Sequence, residues 1–188
     1  MPRHPAPCGV LFALLLAPVA SAAAPGWDYV DARYTTVESF GLDASGPGFG
    51  IVKSVGASGQ VLFEYDDLSL DFFGFEIGIT TMRAGFGGHT ELSDTTALLF
   101  EVSYESIEAS FLGASAETNG YGFRVGVRTM VNESLELDAG IRHLDFDGLS
   151  DDVIGVGAVY LINERFGVTF AIEDGEDQTM RFGGRLSF

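Results

Sequence analysis

The chain of 188 residues is 46% hydrophobic, with a mean hydropathy of +0.22 and a formal net charge of −17. That length suits one domain, and the hydropathy is too low for a bundle of membrane-spanning helices. So large a surplus of carboxylates leaves nothing to neutralise phosphates, which excludes DNA and RNA as partners.

Residues 1–22 read as a cleavable secretory signal peptide. Arg3 and His4 precede the apolar run Val10 to Leu16, and the small residues Ala20, Ser21 and Ala22 follow it. The run is shorter than the roughly 18 apolar residues that a spanning helix needs. Cleavage is expected after Ala22, leaving residues 23–188 as the mature domain. The one cysteine, Cys8, would leave with the signal. An exported chain without cysteine has neither a disulfide scaffold nor thiolate metal sites, and no cofactor is expected.

Along the mature chain no segment has the period of an amphipathic helix; apolar residues instead alternate with polar or small ones, the period of strands with two unlike faces. Tight turns are expected at Ala57–Gln60, Leu92–Asp94, Val131–Ser134 and Ile162–Arg165. Looser loops are expected at Ser39–Gly48, Ser69–Glu76, Glu108–Gly120, Phe146–Asp152 and Asp174–Gln178. These nine connections join ten strands in an all-β, antiparallel up-and-down meander, with eight strands as the alternative.

The faces of the strands decide the architecture. In the strand from Tyr121 to Val131, Tyr121, Phe123, Val125 and Val127 share one face, while Gly122, Arg124, Gly126 and Arg128 share the other. Leu98, Phe100, Val102 and Tyr104 likewise oppose Glu101, Ser103 and Glu105. The polar face collects Arg33, Arg83, Arg124, Arg128, Arg142, Arg181 and Arg185, together with Asp31, Glu64, Asp66, Glu101, Glu105, Glu136, Asp138 and Glu173. A solvated sheet face would carry lysines, and this chain has one, Lys53. Matched arginines and carboxylates are what an enclosed polar interior requires, because an isolated buried charge costs several kcal/mol or more. The polar face is therefore read as a lumen and the apolar face as a surface against lipid, which requires a closed barrel. Gly122, Gly126, Gly140, Gly155, Gly157 and Gly183 would leave room for the arginines. Tyr34, Tyr65, Tyr104, Tyr121, Tyr160 and Phe166 are candidate interfacial aromatics.

The last strand places Met180, Phe182, Leu186 and the final Phe188 on one face. With the strand pattern, this resembles the small outer-membrane β-barrel proteins of Gram-negative bacteria, the OmpA/OmpX-type superfamily. The resemblance implies export through the periplasm to the outer membrane, contact with lipid and lipopolysaccharide, and reading of Met180, Phe182, Leu186 and Phe188 by the barrel-insertion machinery. It does not by itself select one function.

Candidate chemistry is sparse. The lumen charges of a narrow barrel are expected to fill it, with Arg124, Arg128 and Arg142 bridging to Glu101, Glu105, Glu136 and Asp138. His89 is expected near a tight turn, hydrogen-bonded to a carboxylate, and His143 near a loop with Asp145. Asp145, Asp147, Asp151 and Asp152 form an acidic segment with weak potential for a hard cation. Phe111 and Leu112, in the longest expected loop, are the place to look for a surface ligand. The expectation is a non-enzymatic envelope barrel with a mostly occluded lumen and a structural or surface-interaction role. The alternatives are a narrow porin-like diffusion pore and an outer-leaflet lipid-modifying enzyme using His143.

Overall fold

The computed structural model describes residues 25–39 and 41–188; the expected signal peptide and Cys8 lie outside them. Ten strands follow one another in chain order: β1 (Tyr29–Ser39), β2 (Leu42–Val55), β3 (Gly59–Phe72), β4 (Phe75–Ser93), β5 (Thr96–Phe111), β6 (Ala114–Asn132), β7 (Leu135–Phe146), β8 (Leu149–Leu161), β9 (Phe166–Asp174) and β10 (Gln178–Ser187). Each pairs antiparallel with its sequence neighbours, and β1 closes the ring against β10 through Tyr29↔Ser187 to Glu38↔Gln178. Closure pairs every strand on both sides within the ring, the condition for β-structure in hydrocarbon, and only hairpin ends such as residues 114–119 of β6 pair on one side.

Three of the looser loops expected from the sequence are tight hairpins instead, while the one at Asp174–Gln178 lies where it was expected. Pairing in β3–β4 runs to Phe72↔Phe75, in β5–β6 to Phe111↔Ala114 and in β7–β8 to Phe146↔Leu149. Two-residue turns close them at Phe73-Gly74, Leu112-Gly113 and Asp147-Gly148, with both residues at positive φ (52° and 82°, 48° and 84°, 39° and 92°). Positive φ at both central positions is the type I′ geometry that matches strand twist. The polar composition of Glu108–Gly120 signalled a loop, but ladder hydrogen bonds continue through it because the alternation of faces is never broken. Nineteen residues in β4 and β6 extend about 60 Å along the strand, roughly 45 Å along the barrel axis, against an apolar band of about 25 Å. These hairpins must project beyond the lipid.

The outward face records where lipid ends. On β5 it reads Leu98, Phe100, Val102, Tyr104 and then Ser106, Glu108, Ser110; on β6 it reads Val127, Val125, Phe123, Tyr121 and then Asn119, Glu117, Ser115. Tyr104 pairs with Tyr121 at the boundary, their rings 6.1 Å apart and edge-to-face. The inward face does the reverse. It is charged at Glu64 and Asp66 on β3 and then apolar at Leu68 and Leu70; it is Glu101, Ser103 and Glu105 on β5 and then Ile107; it is Arg142 on β7 and then Leu144 and Phe146. Both faces exchange polarity at one level of the barrel.

Phe73 and Leu112 adopt left-handed φ at 87% and 77% exposure, where asparagine or glycine is favoured. Leu112→Asn is expected to stabilise the β5–β6 hairpin by about 1 kcal/mol, read as roughly fivefold slower amide hydrogen exchange in that hairpin.

Candidate functional site

The lumen is built by alternation. Every second residue of the strands points inward, and at mid-barrel those positions carry the seven arginines and eight carboxylates named above. The structure joins all fifteen into one connected set of ion pairs. Arg33 on β1 grips Asp66 on β3 with two parallel hydrogen bonds, Nε to Oδ1 at 3.0 Å and Nη2 to Oδ2 at 2.8 Å, and also faces Asp31 and Glu64. The buried Thr35 hydroxyl donates to the same Asp66 at 2.7 Å. Forked guanidinium–carboxylate contacts of this kind fix geometry as well as charge.

From Glu64 the set continues through Arg83, which lies 2.9 Å from Glu101 and 3.4 Å from Glu105. Gln60 donates to the other oxygen of Glu101 at 2.8 Å, so that carboxylate is held from three sides once Arg124 is counted. Arg124 also bonds Asp138. Arg128 lies 3.7 Å from Glu136 and 3.8 Å from Asp138, and Arg185 bonds Glu136 at 2.8 Å. On the other side Arg142 reaches Glu105 at 3.9 Å and, with Arg181, shares Glu173 at 2.9 Å from each. The glycines opposite make space: a Cβ on Gly140 would stand 3.2 Å from Arg124 Nε, and one on Gly122 would stand 2.8 Å from Glu105 Oε1.

Most of these ion pairs run from strand to strand around the ring, and Arg128 reaches across it. β1 and β6 are diametrically opposed in the closed order, and Arg128 on β6 donates from Nη2 to the Tyr29 hydroxyl on β1 at 3.2 Å and from Nη1 to the Gly26 carbonyl at 3.3 Å. Its guanidinium lies over the Trp27 ring at 4.6 Å, while that of Arg185 lies over the Tyr29 ring at 3.8 Å. Trp27 stacks on His89 with ring centroids 4.1 Å apart. His89 thus has an indole partner in place of the expected carboxylate, and its Nδ1 is buried without a hydrogen bond. Below this layer Tyr29, Val52 and Leu62 form an apolar cluster.

The segment before β1 therefore reaches into the turn end of the lumen, against Arg128 and His89. Sequence reasoning missed Trp27 and Tyr29, although the only tryptophan standing just ahead of the first strand was a readable signal. Outside the barrel wall, Asp28 accepts from the Ser54 amide at 2.7 Å and pairs with Lys53 at 3.1 Å, and those two contacts hold its carboxyl below the ordinary value.

The remaining candidates separate. His143 pairs through Nδ1 with Asp152 at 2.7 Å rather than with Asp145, on the outer surface and 54% exposed. Asp145 and Asp152 face outward, Asp151 faces inward and accepts from the Glu176 amide, and Asp147 sits in a turn. That dispersal removes the cation candidate: no three acidic, histidine or cysteine side chains among the described residues are grouped to hold a metal ion. Met180, Phe182 and Leu186 lie on the outward face of β10, and the Phe188 ring lies 5.0 Å from the Lys53 ammonium. Leu112 is the tip of a hairpin, and Phe111 packs edge-to-face on Phe75.

A closed antiparallel barrel with an apolar belt and charged lumen matches a sequence family directly: the outer membrane protein beta-barrel domain covers residues 9–161. The chain belongs to the outer membrane protein beta-barrel family. Its setting is accordingly the bacterial outer membrane. Among solved structures it is similar to the KdgM porin in complex with disordered oligogalacturonate (12% identity, 85% of this chain and 99% of that one, TM-score 0.49). It is also similar to Neisserial surface protein A (13%, 85% and 95%, TM-score 0.46) and to the attachment invasion locus protein Ail of Yersinia pestis (10%, 85% and 95%, TM-score 0.42). No curated protein matches the chain in sequence. Likeness at these levels adds nothing to the family assignment.

Removing one partner from a buried ion-pair set strands the others. Arg83→Met, which leaves three carboxylates short of a guanidinium, is expected to lower unfolding free energy by about 3–5 kcal/mol in urea titrations of the vesicle-reconstituted barrel. The exposed pair at Lys53 is the control: Lys53→Met is expected to cost less than about 1 kcal/mol.

Proposed function

We propose that this protein is an outer-membrane barrel whose lumen is shut by its own ion pairs, serving a structural or surface-interaction role in the cell envelope. The termini and short turns face the periplasm, and the long hairpins face outward. The observation that carries this reading is that the fifteen charged side chains form one connected ion-pair set in the lumen, mostly between neighbouring strands, with Arg128 reaching the opposite wall at Tyr29. Two further features support it. Two cavities of the interior, of about 190 and 140 Å³, are both lined by Glu64, Arg83, Glu173 and Arg181. Trp27 stands in the turn-end mouth, held between Arg128 and His89.

A hydrolytic role for His143 finds no support in the geometry, because its one side-chain partner among the described residues is Asp152 and no hydroxyl bonds it. The test is single-channel recording of the refolded mature barrel in a planar bilayer. Wild type is expected to show no steady openings, and Trp27→Ala combined with Arg128→Ala is expected to show brief ones. Steady conductance in wild type would make the barrel a narrow diffusion pore and overturn the reading.

A further inference from the structure

Above the ion pairs, at the hairpin end, the lumen changes character. The 190 Å³ cavity has apolar walls of Val37, Leu68, Ile107, Leu144, Phe146 and Val153, standing on a floor of charged groups. The Phe146 ring packs into the space beside Gly120, where a Cβ would stand 2.6 Å from the ring. Alternation carries the apolar lining upward to Phe72, Phe75 and Phe111, the last two in edge-to-face contact. These are inward-facing apolar side chains on hairpin segments that project into water, where nothing in the lipid requires them. Such a lining offers an apolar surface to a molecule that enters it.

The charges state what kind of molecule that is. Glu64, Asp66, Glu105, Asp151, Glu173 and Asp177 line the cavity against Arg83, Arg142 and Arg181; counting Arg33, which pairs with Asp66 and Glu64, six carboxylates still face four arginines. Around the mouth the outward faces and turns add Asp43, Asp71, Glu76, Glu108, Glu117 and Asp145. Lys53 and Arg165 sit at the turn end and the other arginines of the described residues are in the lumen, so no lysine or arginine offsets this crown. Such a field attracts cations and repels anions, including the phosphates of lipopolysaccharide. Aromatic faces together with carboxylates are the chemistry that recognises quaternary ammonium groups.

We propose that the hairpin-end vestibule is a binding site for apolar organic cations of the aryl- or alkyl-ammonium class. The apolar body lies between Leu68, Ile107, Leu144 and Phe146, and the cationic head is balanced by the surplus carboxylates at the floor and mouth. The site stands whether or not the lumen conducts, since it lies on the outer side of the ion pairs, and binding and conductance are measured separately.

The test is isothermal titration of the full barrel in nanodiscs, with empty discs subtracted, using three probes: phenyltrimethylammonium, benzenesulfonate and neutral benzyl alcohol. The cation is expected to bind about tenfold more tightly than either of the other two. Asp151→Asn with Asp177→Asn, both near the mouth and outside the ion-pair set, is expected to weaken the cation at least about threefold and leave benzyl alcohol unchanged. Leu144→Ser with Phe146→Ser is expected to weaken both, with the fold checked by circular dichroism. Equal binding of all three probes by wild type would overturn the charge assignment. Cation binding that survives the Leu144 and Phe146 changes in a folded barrel would overturn the location, and the absence of cation binding would overturn the proposal whole.

Discussion

A charge buried at mid-barrel must find a partner there, and the rest of the structure follows from that constraint. The fifteen ionised groups inside the ten-stranded ring are largely buried, and each left alone would cost several kcal/mol. Arginine meets the demand where lysine would not. Its fork binds two oxygens at once, as Arg33 does with Asp66, and its five donors let one side chain bridge carboxylates on different strands, as Arg83 does with Glu64, Glu101 and Glu105. Glycine on the facing strands is the counterpart of that choice, since a Cβ at Gly140 or Gly122 would press on Arg124 or Glu105.

The same constraint gives the lumen three layers. At the turn end Trp27 and Tyr29 lie against arginines and cover an apolar cluster. At mid-barrel the ion pairs link strand to strand around the ring. At the hairpin end the charges give way to Leu68, Ile107, Leu144 and Phe146. Outside, lipid imposes the opposite order, apolar at mid-height and acidic beyond Tyr104 and Tyr121. Each face of a strand answers to its own surroundings, so a single strand such as β3 changes the sense of its alternation between Asp66 and Leu68 without a break in its hydrogen bonding.

Much of this was legible in the residues. Alternation with arginine on one face gave the barrel, the recurring turns gave ten strands, and the same alternation assigned the inward positions. The hairpins were misread for a physical reason. Where the strands leave the lipid their outward residues become serine, asparagine and glutamate, and a polar run such as Glu108–Gly120 looks like a loop unless its inward partners are followed. Ile107, Ala109 and Phe111 keep the period, and following them would have extended β5 to its tip. His89 was misread because its partner, Trp27, is far away in sequence and stacks through its ring rather than through a hydrogen bond.

The sequence by itself determined the class of fold, the lipid-facing belt and which side chains share the interior, because a period of two places every second residue on the same face regardless of what lies opposite. Which carboxylate answers which arginine was decided only by the tertiary structure. Pairings such as Arg33 with Asp66 and Arg142 with Glu173 depend on the stagger between strands, and that of Arg128 with Tyr29 depends on ring closure between β1 and β10. Closure is a property of the whole sheet, and no local run of residues carries it.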